Sequence, residues 1–123
     1  MKAIFQFLMK IILDTNFLLD CAKFHIDYQE ELRQHDLYVL DKTISELENL
    51  INQKKASHAK VTLQILRKKN IKVLKTINES KSVDSIIAEK EGYAVATADK
   101  ELKQRLKKRK IFVIRQKKFV TEI

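Results

Sequence analysis

Residues 10–16 carry the sequence KIILDTN, a continuous apolar run that ends on an acidic residue. Similar apolar runs recur along the chain: LYVL at 37–40, IKVL at 71–74, YAVAT at 93–97 and IFVI at 111–114. None of them alternates apolar with polar residues, which is typical of strands buried on both faces. Stretches with helical periodicity lie over 44–53, 57–68 and 100–109. This alternation predicts an α/β fold, a three-layer sandwich in which a central parallel sheet of about five strands has helices on both faces.

The length of the chain indicates one domain. Its 123 residues, 45% of them hydrophobic, can form one core that removes roughly two-thirds of the unfolded chain's surface from water. We therefore expect a single domain over 1–123. Because Met9 begins the sequence MKIILDTN, residues 1–8 are either an added leader or a short extra element.

Cysteine, histidine and glycine are too scarce for several common kinds of site. The one cysteine, Cys21, cannot form an internal disulfide, which suits a reducing cytoplasm, and the three histidines do not have the spacing of zinc ligands. With Gly92 as its single glycine, the sequence contains neither a P-loop nor a Gly-rich dinucleotide-binding motif. Gly92 lies where a helix C-cap favours a left-handed residue. The apolar stretch at 3–13 is too short and too interrupted to span a membrane.

The formal net charge of +9 is unevenly distributed along the sequence. Residues 1–53 contain five basic and nine acidic residues, whereas residues 54–123 contain 20 and seven. A basic surface of this size indicates nucleic acid or an anionic membrane as the partner, since each Lys or Arg at a phosphate gains affinity by releasing counterions.

Acidic residues follow four of the predicted strands: Asp14, Glu46, Asp84 and Asp99. In parallel α/β sheets the carboxyl ends of the strands converge on the functional edge. Each acid can instead stabilise a helix start, Asp14 and Asp99 as N-caps, Glu46 in a capping box with Thr43, and Asp84 in a first turn after Ser82. Caps do not require a carboxylate at every strand end, so the set together favours a cluster.

Clustered carboxylates repel one another unless a cation neutralises them. Because the set lacks histidine and cysteine, the expected metal is Mg²⁺ or Mn²⁺. Next to a basic surface, such a site suggests metal-assisted hydrolysis of phosphodiester bonds. Three nearby polar residues would orient the carboxylates or contact a phosphate: Thr15, Asn16 and Thr97.

The motifs IILDTNFLLD, TISELENL and SVDSIIAEKEGYAVATADKEL together resemble the PIN domain, a family of metal-dependent endoribonucleases, from about Met9 to Phe119. The resemblance implies that Asp14, Glu46, Asp84 and Asp99 are the catalytic, metal-binding quartet. The segment between Asp84 and Asp99 is shorter than in many relatives, and Ser82 or Ser85 is the alternative to Asp84. Within the family, the chain resembles the branch of the small-subunit ribosomal RNA processing nuclease and its archaeal relatives more than typical VapC toxins.

A basic segment directly follows Asp99 and contains one acid, Glu101. A solvated helix face is the simpler interpretation, but with so little internal charge pairing we predict that the segment binds the RNA backbone. Its basic residues are Lys100, Lys103, Arg105, Lys107, Lys108, Arg109 and Lys110. A second basic stretch over 54–69 continues this surface or serves another partner.

Three hypotheses for function follow. The chain is an endoribonuclease in ribosomal or other RNA processing, a VapC-type ribonuclease toxin, or a PIN-like RNA-binding assembly module without useful turnover. The corresponding partners are RNA, an antitoxin and a ribosome-assembly factor, and the resemblance also implies a homodimer. No membrane partner is expected.

Overall fold

The computed structural model describes residues 8–54, 57–68, 71–76, 80–106 and 108–123. Within these residues the strands are β1 (Lys10–Leu13), β2 (Asp36–Leu40), β3 (Lys72–Leu74), β4 (Ala94–Ala96), β5 (Ile111–Arg115) and β6 (Phe119–Glu122). The helices are α1 (Thr15–Lys23), α2 (Tyr28–Glu31), α3 (Asp41–Asn52), α4 (Ala59–Lys68), α5 (Val83–Glu89) and α6 (Lys100–Arg105). The predicted leader or extra element lies mostly outside the described residues, which begin at Leu8.

The strands form one sheet with the order β3-β2-β1-β4-β5-β6. Strands β1 to β5 are parallel, and β6 is antiparallel to β5. The five predicted strands are thus confirmed. Because successive strands β1, β2 and β3 extend to one side and β4 lies on the other side of β1, the strand order reverses between β1 and β4. In open α/β sheets, ligands bind outside the carboxyl ends of the strands at this point of reversal.

Helices cover both faces of the sheet, which confirms the predicted three layers. Alternate strand residues point to opposite faces. Ile11 and Leu13 of β1 join a core with α1, α2, α3 and α4, whereas Ile12 joins a second core with α5 and α6. The segment FLLDCAKF at 17–24 contributes Phe17, Leu18 and Cys21 to the first core, where all three are buried.

The sequence pattern does not predict β6. The turn before it places Gln116 at φ 54° and Lys117 at φ 56°, and these two residues lack the Gly or Asn that normally marks a tight hairpin turn. The chain therefore forms a hairpin for which the sequence contains no short-range signal.

The predicted helix over 100–109 is wrong at its end, because α6 stops at Arg105. Leu106 is buried in the second core, and the Arg109 side chain binds main-chain carbonyls, so this segment leads into β5 instead of continuing the helix. The prediction over 44–53 begins too late, since α3 starts at Asp41. None of the helices in the described residues is long and apolar enough to cross a membrane.

Gly92 has φ +87°, as a left-handed residue should. It lies in the turn between α5 and β4, two residues after the cap residue Lys90, so the predicted conformation is confirmed but the predicted cap position is wrong. A Cβ atom at this position would meet nothing within 4 Å, so the glycine is needed for its backbone conformation and not for space.

Candidate functional site

Asp14 lies directly after β1, at the point where the strand order reverses. The Asp14 side chain caps α1, and the residue as a whole is only 2% exposed to solvent. One carboxylate oxygen, Oδ1, accepts the N–H of Thr15 at 2.9 Å, and Oδ2 accepts the hydroxyl of Thr97 at 2.8 Å. The backbone N–H of Asp14 donates to the carbonyl of Ala96 at 2.9 Å. Hydrogen bonds to both oxygens therefore fix this carboxylate between β1 and β4.

The environment of Asp14 disfavours its ionised form. Burial raises its pKa from an ordinary 3.8 to about 6; the hydrogen bonds from Thr97 and Thr15 oppose this shift, and the negative charges of Asp84 and Asp99 add to it. A buried carboxylate with a strongly raised pKa at the functional edge of a sheet is a candidate active-site group.

Thr97 connects Asp14 to Asp99. Its side chain is fully buried, and its hydroxyl both donates to Asp14 and accepts the backbone N–H of Asp99 at 3.0 Å. Asp99 caps α6, with Oδ1 accepting the N–H groups of Glu101 at 2.8 Å and Leu102 at 3.3 Å. Asp14 and Asp99 therefore cap helices and also belong to the cluster of acids, so the two interpretations of these residues are compatible.

Asp84 is the second residue of α5, and the serines on either side stabilise the start of the helix. The hydroxyl oxygen of Ser82 accepts the backbone N–H of Ser85 at 3.2 Å, so Ser82 is the N-cap. Asp84 and the alternative Ser82 both line the cavity that contains Asp14 and Glu46, whereas Ser85 does not.

Burial raises the pKa of Asp84, and so do the negative charge of Asp99 and a hydrogen bond with the Asp99 carboxyl group. The charge of Glu46 raises it further, whereas the Arg105 guanidinium lowers it. Glu46, Asp84 and Asp99 therefore lie near one another, as the strand order predicts.

The Glu46 side chain is held next to Asp14 by a hydrogen bond from the neighbouring residue Thr15. Its Oε1 atom accepts the Thr15 hydroxyl at 2.6 Å, and Thr43 Oγ1 lies 3.3 Å from the same hydroxyl. The capping-box interpretation is wrong, because α3 begins at Asp41 and Thr43 is already its third residue. Asp41 instead accepts the N–H and hydroxyl of Thr76, the latter at 2.9 Å.

A cavity of about 440 Å³ contains three of the acids, Asp14, Glu46 and Asp84. Asn16 lines it as an exposed residue. The cavity continues along α1 and α3, where it is lined by Leu19, Asn49, Leu50 and Gln53. Another cavity, of about 460 Å³, lies at the amino edge of the sheet beside His35 and contains none of the predicted site residues.

The sequence matches the family model described as "PIN like domain" over residues 11–118. The chain belongs to the PIN-like domain family. It is 33% identical over 122 residues to Ribonuclease VapC4 of Methanocaldococcus jannaschii, a match that covers 89% of this chain and 93% of that relative. The predicted family is therefore confirmed.

Solved structures agree with this assignment. The structure of the PIN domain endonuclease Utp24 is similar, with a TM-score of 0.77, 27% sequence identity and coverage of 93% of this chain and 92% of that one. PAE2754 from Pyrobaculum aerophilum has a TM-score of 0.56 and 22% identity, with 87% of each chain covered, and supports the fold alone.

The carboxylates of this PIN-like domain fit a hard divalent cation in their chemistry. The described residues that line the cavity include no histidine or cysteine. A nearby cation would lower the raised pKa values of Asp14 and Asp84. Among the described residues, no group of three or more His, Cys, Asp or Glu is already placed to hold a metal ion. Mg²⁺ does not require such a group, because it usually keeps several waters and binds one or two carboxylates.

The basic segment of the PIN-like domain is divided between two edges of the sheet. Lys100, Lys103 and Arg105 belong to α6, which Asp99 caps, and Arg105 is close enough to Asp84 to affect its pKa. Lys108 and Lys110 lie beside the start of β5, at the opposite edge, in a cavity with Lys10 and Tyr93. Lys107 lies outside the described residues.

Arg109 has a structural role in the PIN-like domain. Its Nε atom donates to the carbonyl of Tyr93 at 2.9 Å, and its Nη1 atom donates to the carbonyls of Ile87 at 3.0 Å and Ala88 at 3.3 Å. Lys110 forms an ion pair with Glu122 at 3.1 Å. A run of basic residues in the sequence does not reveal such carbonyl and ion-pair partners, because they are distant along the chain.

Most of the described basic residues of the second stretch, 54–69, belong to α4. Lys60, Arg67 and Lys68 belong to this helix, and Arg67 pairs with Glu48 at 3.2 Å. Lys54 follows α3, while residues 55 and 69 lie outside the described residues.

Proposed function

We propose that this chain is a metal-dependent endoribonuclease that hydrolyses RNA phosphodiester bonds at the carboxyl edge of its sheet. The buried Asp14 carboxylate carries this proposal, because it is fixed on both oxygens and lies among acids that raise its pKa. Two relatives support it: VapC4 is named a ribonuclease, and Utp24 a PIN domain endonuclease. Nucleases of the family generally use divalent metals.

In this proposal Asp14 and Asp99 hold Mg²⁺ or Mn²⁺ directly, and Glu46 and Asp84 complete its environment. When bound, such a cation lowers the pKa of a water and offsets the charge that develops on the phosphate. Thr97 keeps the Asp14 and Asp99 segments at a fixed separation, since its hydroxyl is bonded to both.

Thr15 and Asn16 act next to Asp14. Thr15 positions Glu46, because its hydroxyl donates to that carboxylate at 2.6 Å. Asn16 is exposed in the cavity, where its amide can donate to a phosphate oxygen. The exposed cations of α6, above all Lys100, add positive charge where an RNA backbone would approach Asp99.

A toxin is the second candidate for the cellular role, because 93% of Ribonuclease VapC4 aligns with this chain at 33% identity. Expressing the protein in cells and removing its gene distinguish a toxin from an enzyme of ribosomal or other RNA processing. A toxin arrests growth when it is expressed alone, and a small neighbouring gene relieves the arrest. A processing enzyme leaves growth unaffected, and its removal causes a precursor RNA to accumulate.

The activity is tested with the purified full chain and end-labelled RNA that contains both single-stranded and hairpin segments. We expect internal cleavage with Mn²⁺ or Mg²⁺, none with EDTA, and at least a hundredfold lower rate for Asp14→Asn. Asp20→Asn is the matched control, since Asp20 lies on α1 but outside the cavity.

Intact RNA after incubation with folded wild-type protein and either metal would overturn the proposed activity. If that protein still bound RNA in a salt-dependent way, the assembly-module hypothesis would replace it. Equal cleavage by wild type and Asp14→Asn would also overturn it, since the activity would then not depend on the carboxylate.

A further inference from the structure

The cavity beside the carboxylates extends well beyond them. Its far wall is one face of α3, formed by residues at helical positions i, i+3, i+4 and i+7: Glu46, Asn49, Leu50 and Gln53. The seven-residue step from Glu46 to Gln53 spans roughly 10 Å, so the wall extends about two helical turns beyond a proposed metal ligand. Metal binding by itself does not require this extension.

The chemistry of the extension differs from that of α6. The described residues that line the cavity include no Lys or Arg, so the extension is not built for a phosphate. Leu19 and Leu50 are partly buried and offer apolar surface, while Asn49 and Gln53 are exposed and offer amides. An amide presents both donors and an acceptor.

A nucleobase matches this combination. It has flat apolar faces and an edge of donors and acceptors, and proteins recognise single-stranded RNA by contacting both. The cavity volume of about 440 Å³ lies within the range of roughly 300–1,000 Å³ that is typical of small-ligand sites.

The two amides are available for such a contact. In the part of the chain that the structure describes, the side chains of Asn49 and Gln53 have no hydrogen-bond partner. Only the backbone of Gln53 helps to end α3, with its N–H donating to the Asn49 carbonyl at 2.9 Å. The stability of the helix therefore does not explain why these two side chains are amides.

We propose that this extension binds the base of one unpaired nucleotide adjacent to the scissile phosphate, with Asn49 and Gln53 contacting the base edge and Leu19 and Leu50 contacting its faces. The substrate is then single-stranded RNA or an unpaired loop, because the bases of an A-form duplex are stacked and their major-groove edges cannot be reached by side chains. This inference rests on the proposed function, which places the scissile phosphate at Asp14.

The test compares the double variant Asn49→Ala/Gln53→Ala with wild type on an RNA whose single-stranded segment is randomised. The matched control is Asn52→Ala/Gln64→Ala, which removes exposed amides of α3 and α4 that do not line the cavity. We expect wild type to prefer one base beside the cleaved bond. For that base the double variant should lose about ten- to hundredfold in kcat/KM, the effect of a lost base-edge contact, and the control should match wild type.

A binding measurement separates this inference from the proposed activity. The four single-base pentaribonucleotides are titrated in EDTA against the same proteins, with fluorescence anisotropy as the readout. Base-selective binding that only the double variant loses supports the site even if wild type cuts no RNA. Cleavage without base preference, or a preference that the double variant retains, overturns the site while the proposed activity stands. Absence of both cleavage and base-selective binding overturns both.

Discussion

Replacing Asp14 by Asn should stabilise the metal-free protein relative to wild type increasingly as pH rises, because it removes the cost of ionising a buried carboxylate. The wild-type carboxylate is buried next to the acids Asp84 and Asp99, so its ionised form destabilises the fold in the absence of a cation. Asparagine has nearly the same shape and carries no charge. The proposed metal site would in this way be a source of instability in the absence of a cation.

The magnitude follows from the raised pKa. A change from 3.8 to about 6 is roughly two units, which corresponds to about 3 kcal/mol. Between these two pKa values the unfolded chain has released a proton that native Asp14 still holds, so the free energy of unfolding falls as pH rises, and it levels off above about 6. About 2 kcal/mol of the loss occurs between about pH 4.5 and about pH 7.5. Any change in hydrogen bonding by asparagine is the same at both pH values and cancels.

Urea denaturation of wild type and Asp14→Asn in EDTA at these two pH values measures the effect. The difference in unfolding free energy between the two proteins should shift by about 2 kcal/mol in favour of the variant at the higher pH. The Asp20→Asn control should show no such shift. Added Mn²⁺ should then stabilise wild type and leave Asp14→Asn nearly unchanged. A difference that is the same at both pH values would refute the argument, because Asp14 would then ionise as it does in the unfolded chain.

Three further outcomes are expected. Thr97→Val leaves the Asp14 carboxylate and the Asp99 N–H without their shared partner, so it should cost about 1–3 kcal/mol in urea denaturation and slow RNA cleavage, whereas Thr97→Ser should do neither. Arg109→Ala should lower the free energy of unfolding by about 2 kcal/mol and leave RNA affinity unchanged. Lys103→Ala should instead lower the slope of log affinity against log salt by about one, with the free energy of unfolding changed by less than about 0.5 kcal/mol. Gly92→Ala should cost about 1–2 kcal/mol, from its φ of +87° alone, with cleavage unaffected.

Strand β3 does not fit the predicted burial on both faces, because Lys72 and Val73 are exposed. The other four parallel strands could be predicted from the sequence because each contains a run of buried apolar residues. Burial on both faces imposes that pattern, as the fully buried Ile11, Ile12 and Leu13 of β1 show. The edge strand β6 escapes prediction for the opposite reason. Its residues range from half-buried to exposed, and its turn adopts positive φ at Gln116 and Lys117 without glycine or asparagine. Only pairing with β5 defines it.

The positions of the acids could be predicted from strand order, but their contacts could not. That a carboxylate follows a parallel strand is visible in the sequence, and the structure does bring Asp14, Asp84 and Asp99 together. The bond from Thr15 to Glu46 joins residues 31 positions apart, and a local motif in the sequence suggested a capping box for Glu46 instead. Local patterns identify residue types at helix starts, whereas tertiary packing decides which partner each side chain finds.

The division of the basic residues bears on how RNA would lie in the proposed site. Arg105 and Arg109 contribute equally to the net charge, yet Arg105 is close enough to Asp84 to lower its pKa, while Arg109 binds main-chain carbonyls at the amino ends of the strands. Helix α6 therefore brings Arg105 near the carboxylates, whereas the described residues lining the cavity along α3 include no Lys or Arg. An RNA strand with its phosphates towards α6 would have to direct a base towards α3, where the amides are. The asymmetry of charge across Asp14 thus favours one orientation of the substrate, and the double variant at Asn49 and Gln53 tests it.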